Sequence, residues 1–174
     1  MLRKNKRGFT LVELLVVVII LGILAAVVVP QFTDHTNDAR LASLDTNLAE
    51  MRSAIELYYH QHNGMYPGQI RTNGTVAVAA NMEQTFRDQL TQFTDIDGNP
   101  APERTDPNVQ KFGPYLRKSD LPANPFTGDA TLVADAGTTS LAADLFDGGQ
   151  TSAWKFAVQI GKFIANDNGD HSKR

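Results

Sequence analysis

The chain contains no cysteine among its 174 residues. Disulfides, thiol nucleophiles and zinc sites built on thiolates are therefore excluded. The sequence also lacks a His-Glu-x-x-His motif, a phosphate-binding glycine loop and a G-x-S-x-G nucleophile motif. Residues 1–8 contain no acid, and residues 14–29 contain no polar side chain. We therefore expect a protein that is not an enzyme and that has one strongly apolar segment.

Charge is unevenly distributed along the chain. The first eight residues carry four bases, although the formal net charge of the whole chain is −3. The body that follows this basic segment is therefore more acidic than the whole. Because DNA affinity comes largely from cations placed against phosphates, we expect no nucleic-acid partner.

The apolar run of residues 14–29 has three possible interpretations: a secretory signal peptide, a plain membrane anchor, or a targeting segment that stays in the product. The end of the run offers no good small-x-small cleavage site, which argues against the signal peptide. As a helix, the run would be about 24 Å long, which is short of the ~30 Å hydrocarbon core. Starting the segment at Phe9 gives a full span but places Glu13 inside it.

Glu13 is the residue of this segment that needs an explanation. A charge at the centre of a membrane helix costs on the order of 2.5–3.5 kcal/mol on insertion scales, and less near an end. One interpretation places the carboxylate at the headgroup level. The other assumes a cut after Gly8, which would leave an α-amine on Phe9, one helical turn before Glu13 and on the same face. The acid would then pair with its own terminus or with that of a neighbouring chain.

The stretch RGFTLVELLVVVIILGILAAVVVP resembles the N-terminus of the type IV pilin and pseudopilin superfamily. The shared pattern is a basic leader, a glycine, a methylated phenylalanine and a glutamate at the fifth position after the cut. The resemblance implies that a prepilin peptidase cuts between Gly8 and Phe9 and methylates the Phe9 amine. It also implies that Glu13 neutralises the Phe9 amine of an adjacent subunit during filament assembly. Such pairing would remove two charge penalties in lipid and set the register between helices.

Two residues weaken the helix of this segment. Pro30 cannot donate to the carbonyl oxygen of Ala26, and it can kink a helix without ending it. Gly22 is a second weak point. In filaments of the family, the corresponding stretch loses helical order on assembly, so the resemblance implies the same behaviour for residues 22–30.

An amphipathic helix is predicted over residues 31–64. Apolar residues form one stripe at helical spacing, namely Leu41, Leu44, Leu48, Met51, Ile55 and Tyr58. A lone coiled coil is the weaker alternative, because fewer than three heptads are present. Gly64 suits a left-handed cap, so we expect the helix to end there.

Residues 65–174 are predicted to form a globular region. Asn81 and Gln84 resemble a capping box, and the spacing behind them predicts a short helix to about Phe93. The stretch DIDGNPAPERTDP predicts a surface loop, whereas ATLVADA, SAWKFAV and GKFIAN predict strands. The predicted fold class is α+β, with the long N-terminal helix packed on a small antiparallel C-terminal sheet.

A second resemblance lies in the C-terminal region. FGPYLRKSDLPANPFTG and WKFAVQIGKFIAN are similar to segments of major pseudopilins. The resemblance covers residues 1–68 and, more loosely, residues 112–166, whereas the insert of residues 71–107 has no counterpart. Major pseudopilins commonly hold calcium in a loop of this sheet, and calcium prefers six to eight oxygen ligands. The candidate ligands are Asp129, Asp135, Asp144 and Asp147, and ordinary solvated loop aspartates are the alternative.

The four histidines offer no recognisable catalytic pattern. His60 and His62 lie two residues apart, so they point to different faces of a helix. We expect these two, together with His35 and His171, to be solvated surface residues.

Three functional hypotheses remain open. The first is a major pseudopilin that polymerises with minor pseudopilins on an inner-membrane assembly platform and drives protein export by a type II secretion system. The second is a type IV pilin of a surface fibre for adhesion or motility, although many such pilins carry a disulfide that this chain lacks. The third is a monomeric membrane-anchored periplasmic binding module, which leaves Glu13 unexplained. Each implies one inner-membrane pass over residues 9–30, with the N-terminus cytoplasmic and the C-terminal domain periplasmic.

Overall fold

The computed structural model describes residues 8–140, 145–146, 152–167 and 170–174, with the backbone alone for residues 27–34. The chain divides into two compact units, Met1–Leu41 and Ala42–Arg174. One helix, α1, covers Leu11–Gln61 and contributes to both units. It passes through Gly22 and Pro30 without a break, so their predicted loss of helical order on assembly stays a prediction. Within the part of the chain that the structure describes, no helix meets the length and apolar content needed to cross a membrane.

The predicted stripe is the buried face of α1 in the second unit. Leu44, Leu48, Met51, Ile55 and Tyr58 are each at most 1% exposed, whereas Leu41 is only partly buried. The helix ends as expected. Gly64 has a φ of 80°, and its amide donates to the carbonyl oxygen of Tyr59 at 3.0 Å.

A β-hairpin that sequence analysis missed follows the helix. Strands β1 (Gln69–Thr72) and β2 (Thr75–Val78) pair antiparallel across a two-residue turn. The turn residues Asn73 and Gly74 have φ values of 52° and 79°. An Asn-Gly pair between β-prone runs is a strong hairpin signal, because this turn requires left-handed backbone at both positions. The start of the insert at residues 71–107 is therefore regular structure.

Helix α2 covers Met82–Thr91, so the short helix is confirmed. The predicted capping box is wrong, because the Asn81 side chain makes no capping hydrogen bond. The Gln84 amide instead donates to Asp88 Oδ1 one turn later, at 2.9 Å. The Gln84 side chain thus bonds to the side chain of Asp88, four residues later, and not to the backbone at the start of the helix.

The predicted surface loop contains one strand of a short pair. Strands β3 (Phe93–Thr94) and β4 (Pro100–Ala101) pair antiparallel. The turn between them is closed by Asp95, whose Oδ1 accepts from the amides of Asp97 and Asn99 at 2.9 Å each. An aspartate that bonds backbone amides further along the chain is a common turn device.

The three predicted C-terminal strands are present and form one sheet. They are β5 (Leu132–Asp135), β6 (Trp154–Ala157) and β7 (Lys162–Ala165), in the order β5-β6-β7. The α+β class is confirmed, with one difference in strand direction. Strands β6 and β7 are antiparallel, but β5 and β6 are parallel. The long connection of residues 136–153 leaves room for the crossover that a parallel pair requires.

One hydrophobic core joins these elements. Buried side chains of α1, α2 and the C-terminal sheet belong to the same cluster. The Phe86 ring of α2 lies 4.7 Å from the Phe156 ring of β6. Trp154 is fully buried, and its Nε1 donates to the carbonyl oxygen of Pro122 at 2.8 Å. The sheet is thereby fixed to the loop before it and to both helices.

Candidate functional site

The candidate site is the first turn of α1, where Thr10 and Glu13 bond to each other. The amide and the hydroxyl of Thr10 both donate to Glu13 Oε2, at 2.9 Å and 2.8 Å. The Glu13 amide donates back to Thr10 Oγ1 at 3.2 Å. This reciprocal pattern is a capping box, which satisfies amides that the helix leaves without partners. In the uncut chain, therefore, Glu13 caps its own helix.

Sequence analysis did not anticipate this role, although the signal was present. The stretch TLVE fits the Thr-x-x-Glu capping pattern directly. The partner expected for Glu13 was the Phe9 amine, which exists only after a cut between Gly8 and Phe9. Before the cut, the Phe9 nitrogen is an ordinary peptide nitrogen, so Thr10 provides the hydrogen bonds instead.

The predicted processing residues are accessible. Gly8 and Phe9 precede α1 and belong to no helix or strand, and Phe9 is 81% exposed. A side-chain atom added at Gly8 would meet nothing within 4 Å. The rest of the leader, residues 1–7, lies outside the described residues. The geometry is therefore compatible with a peptidase that needs to reach the bond between Gly8 and Phe9.

The surface of α1 that follows this site is almost entirely apolar. Large hydrophobic side chains from Phe9 to Leu24 are exposed in the single chain, with Val16 and Val17 the least exposed at 49%. Gly22 lies within this stretch and has open space around it, whereas the side chain of Pro30 lies outside the described residues. A surface of this kind is covered in the working state of a protein, by lipid or by other chains.

The two calcium candidates that the structure describes, Asp129 and Asp135, accept hydrogen bonds within the turns in which they lie. Asp129 Oδ1 accepts from the Thr131 hydroxyl at 2.5 Å and from the Thr131 amide at 2.9 Å, and these bonds lower the pKa of Asp129. Asp135 accepts from the Thr138 hydroxyl at 2.8 Å and from the Gly137 amide at 2.7 Å, which lowers the pKa of Asp135.

The remaining two candidates, Asp144 and Asp147, lie outside the described residues. Among the residues that are described, no three histidine or acidic side chains come together as metal ligands. Calcium binding therefore stays a prediction, and the described donors do not by themselves fit the ion's need for six to eight oxygens.

The prediction that all four histidines are solvated is wrong for two of them. His62 is fully buried, and His171 is 9% exposed. The His62 ring stacks on Tyr58 at 3.8 Å, with Nδ1 2.9 Å from the Tyr58 carbonyl oxygen and Nε2 3.0 Å from Thr94 Oγ1. Because a carbonyl only accepts, Nδ1 carries the proton and Nε2 accepts from the threonine hydroxyl. His62 and its partners Tyr58 and Thr94 are buried in the core, where no substrate can reach them.

We expect the burial of His62 to make the fold sensitive to acid. Desolvation lowers the pKa of His62 in the folded state, so the unfolded state, with a pKa of about 6.5, binds the proton more readily. Stability should be fully present above that unfolded pKa and should fall as the pH drops through it. Urea unfolding of wild type and His62→Gln at pH 8 and pH 5 measures the effect.

His60 provides the control for this prediction. It is exposed and lies 3.8 Å from Glu56. His60→Gln should therefore keep the acid sensitivity of the wild type, whereas His62→Gln should lose much of it. Equal acid sensitivity in wild type and His62→Gln would contradict the prediction.

Known proteins share both the first turn and much of the rest of the chain. Residues 3–29 match the prokaryotic N-terminal methylation motif. The type II secretion system core protein G of Pseudomonas aeruginosa is 33% identical over 126 residues, which cover 72% of this chain and 72% of that protein. The core protein G of Klebsiella michiganensis is 29% identical over 150 residues, or 86% of this chain and 87% of that protein.

Type IV pilins match 34% of this chain in one case and 80% in another. The type IV narrow pilus major component PilA5 of Thermus thermophilus is 44% identical over 59 residues, which cover 34% of this chain and 51% of that protein. The chain spans about half the length of the first curated relatives it matches. No solved structure matches it. The methylation motif and the extended similarity to core protein G together show that the chain belongs to the superfamily of type IV pilins and type II secretion pseudopilins.

Proposed function

We propose that the protein is a structural subunit, without enzymatic activity, that polymerises into a periplasmic pseudopilus and so drives protein export by a type II secretion system. The observation that carries this proposal is the exposed apolar surface from Phe9 to Leu24, interrupted only at its start by the polar pair Thr10 and Glu13. A surface of this kind is covered by lipid before assembly and by packing against neighbouring subunits after it. Similarity to core protein G over most of the chain supports the secretion branch.

Before assembly, residues 9–30 span the inner membrane once, with the N-terminus in the cytoplasm and residues 31–174 in the periplasm. A prepilin peptidase cuts after Gly8 and methylates the Phe9 amine. Glu13 then exchanges Thr10 for the charged Phe9 amine of an adjacent subunit, because a charge pair compensates better in an apolar filament core than a hydroxyl does. Minor pseudopilins and an inner-membrane assembly platform are the expected partners.

A type IV pilin of a surface fibre is the second candidate. The observation in its favour is the 44% identity with a pilus component over 59 residues. That match covers 34% of this chain, but another type IV pilin covers 80% of it at 28% identity. The core protein G relatives cover 72% and 86% of this chain at 33% and 29% identity, so a slightly higher identity at similar coverage favours the secretion subunit.

Deleting the gene separates the two candidates. We expect exported proteins to accumulate in the periplasm of the deletion strain, with surface fibres unchanged under the electron microscope. Export should return when the wild-type gene is restored. Loss of surface fibres with normal export would overturn the secretion function in favour of the pilin.

Processing gives a second test of the proposal. We expect the intact mass of the protein purified from membranes to correspond to a chain that begins at N-methyl-Phe9. Gly8→Glu provides the matched control, because a side chain at the cut site should leave the leader attached. A wild-type product that retains Met1, or one cut near Ala26, would exclude the prepilin interpretation.

A further inference from the structure

Residues 170–174, here called the C-terminal turn, are bonded to the long helix α1. Arg174 Nη1 donates to both carboxylate oxygens of Asp45, at 2.9 Å and 2.7 Å. Arg52, two turns further along α1, donates from Nη2 to the carbonyl oxygen of Arg174 at 2.5 Å. The same guanidinium donates from Nε and Nη2 to the carbonyl oxygen of Phe163 in β7, at 3.3 Å and 3.1 Å. Arg52 thus joins α1, the C-terminal sheet and the C-terminal turn.

The other side of the turn is anchored in the globular unit. His171 lies with its ring centroid 4.2 Å from that of Phe126. Its Nδ1 is 2.5 Å from Asp167 Oδ2, and Asp167 Oδ1 accepts from the Asn124 side chain at 3.0 Å. Asp167 and Asn124 are buried, and the Asn124 side chain also donates to the carbonyl oxygen of Ala153 at 3.1 Å, so both polar groups have partners. The turn is therefore held from both sides.

The contacts of Arg52 matter more than the exposed ion pair. The side chains of Arg174 and Asp45 are 38% and 52% exposed, so their ion pair alone contributes little to stability. Arg52 is only partly exposed, and its bonds to two carbonyl oxygens are charge-assisted. The ion pair instead sets the position of the C-terminal turn along α1, because it joins Arg174 to Asp45.

That part of α1 is the start of the globular unit. The unit begins at Ala42, and Leu44 is the first fully buried residue of the helix within it. Residues 35–40 are exposed. Asp45 therefore lies at the start of the buried part of the helix in the globular unit, and such ends open most easily when contacts are removed.

We propose that the C-terminal turn is a latch that holds the first turns of the globular half of α1 against β7. Asp45, Arg52 and Arg174 act as positioning residues for assembly, because they set the point beyond which unwinding of α1 does not extend. This role in assembly rests on the proposed function and on the unwinding predicted for residues 22–30, whereas the latch itself rests on neither.

Hydrogen exchange of the full chain in detergent micelles tests the latch. In a chain that lacks residues 170–174, we expect the amides of residues 45–52 to exchange about tenfold faster, while those of β6 and β7 keep their protection. Arg174→Gln should give a smaller change at the same residues. Lys173→Gln is the matched control, because the exposed pair of Lys173 and Asp170 at 3.9 Å does not involve α1.

Exchange of residues 45–52 at the wild-type rate in both the shortened chain and Arg174→Gln would overturn the latch. A charge swap, Asp45→Arg with Arg174→Asp, should restore slow exchange that each single change reduces. If the shortened chain does not fold, Arg174→Gln and the swap still decide the outcome.

Filament assembly tests the positioning role. We expect the shortened chain to be processed normally, as shown by intact mass, but to yield about tenfold fewer subunits cross-linked into filaments. Equal assembly of the wild type and the shortened chain would overturn the role. Failure of the wild type itself to assemble would instead count against the proposed function, and the exchange result would stand.

Discussion

Glu13→Ala should abolish filament assembly while the globular unit stays folded. The variant leaves the charged Phe9 amine without a partner in an apolar environment, where an uncompensated charge costs on the order of 2.5–3.5 kcal/mol on insertion scales. It also removes the capping box with Thr10, whose bonds of 2.8–3.2 Å lie far along the chain from the core. Cross-linking of filaments from membranes, together with the melting temperature of the purified chain, measures both effects.

Two control variants separate the charge of Glu13 from its capping role. Thr10→Val removes the hydroxyl but keeps the carboxylate, so assembly should persist despite a weaker helix start. Glu13→Gln keeps an acceptor for the Thr10 amide but removes the charge, so assembly should fail. If Glu13→Gln assembled normally and Thr10→Val did not, capping rather than charge pairing would be the function of this carboxylate.

Gln89→Leu should destabilise the globular unit by about 3 kcal/mol or more. Gln89 is fully buried in α2, and its Oε1 accepts from the Gly68 amide at 2.7 Å. Its Nε2 donates to the carbonyl oxygens of Gln69 and Gly98, at 2.8 Å and 2.7 Å. Leucine of similar size would leave three buried backbone groups without partners, and each such group costs about 1–3 kcal/mol. Urea unfolding of the full chain in micelles measures the loss.

Gln84→Leu is the matched control for this prediction. Gln84 lies on the exposed side of the same helix, and its side chain donates to the neighbouring Asp88. The same substitution there should change the free energy of unfolding by about 0.5 kcal/mol or less. A loss of that small size for Gln89→Leu would show that water replaces the three hydrogen bonds.

Local pattern was enough to predict the elements that depend on it. The stripe on α1 follows from burial of one face, which spacing reveals, whereas β6 and β7 follow from short runs of β-prone residues. The same spacing could have revealed His62, since it lies four residues after Tyr58 and continues the buried stripe. Its polarity suggested solvent, but a partner for each ring nitrogen makes burial possible.

Features that depend on distant contacts could not be read from the sequence. The three partners of Gln89 come from segments brought together only by the fold, and nothing near Gln89 marks them. The parallel direction of β5 relative to β6 likewise depends on how the two strands are brought together and not on the residues of either strand. The capping role of Glu13 was readable in TLVE, but the family resemblance offered a partner that exists only after cleavage.

The hairpin of β1 and β2 offers a site where a label can be inserted to follow the subunit in cells. Thr72, Asn73, Gly74 and Thr75 form an exposed tip, and Gly74 has open space around it. Exposed tips made of small polar residues tolerate inserted sequence, because no core contact is broken. A short epitope placed between Asn73 and Gly74 would therefore label the protein without touching α1 or the C-terminal sheet. Antibody or dye could then report where each copy resides.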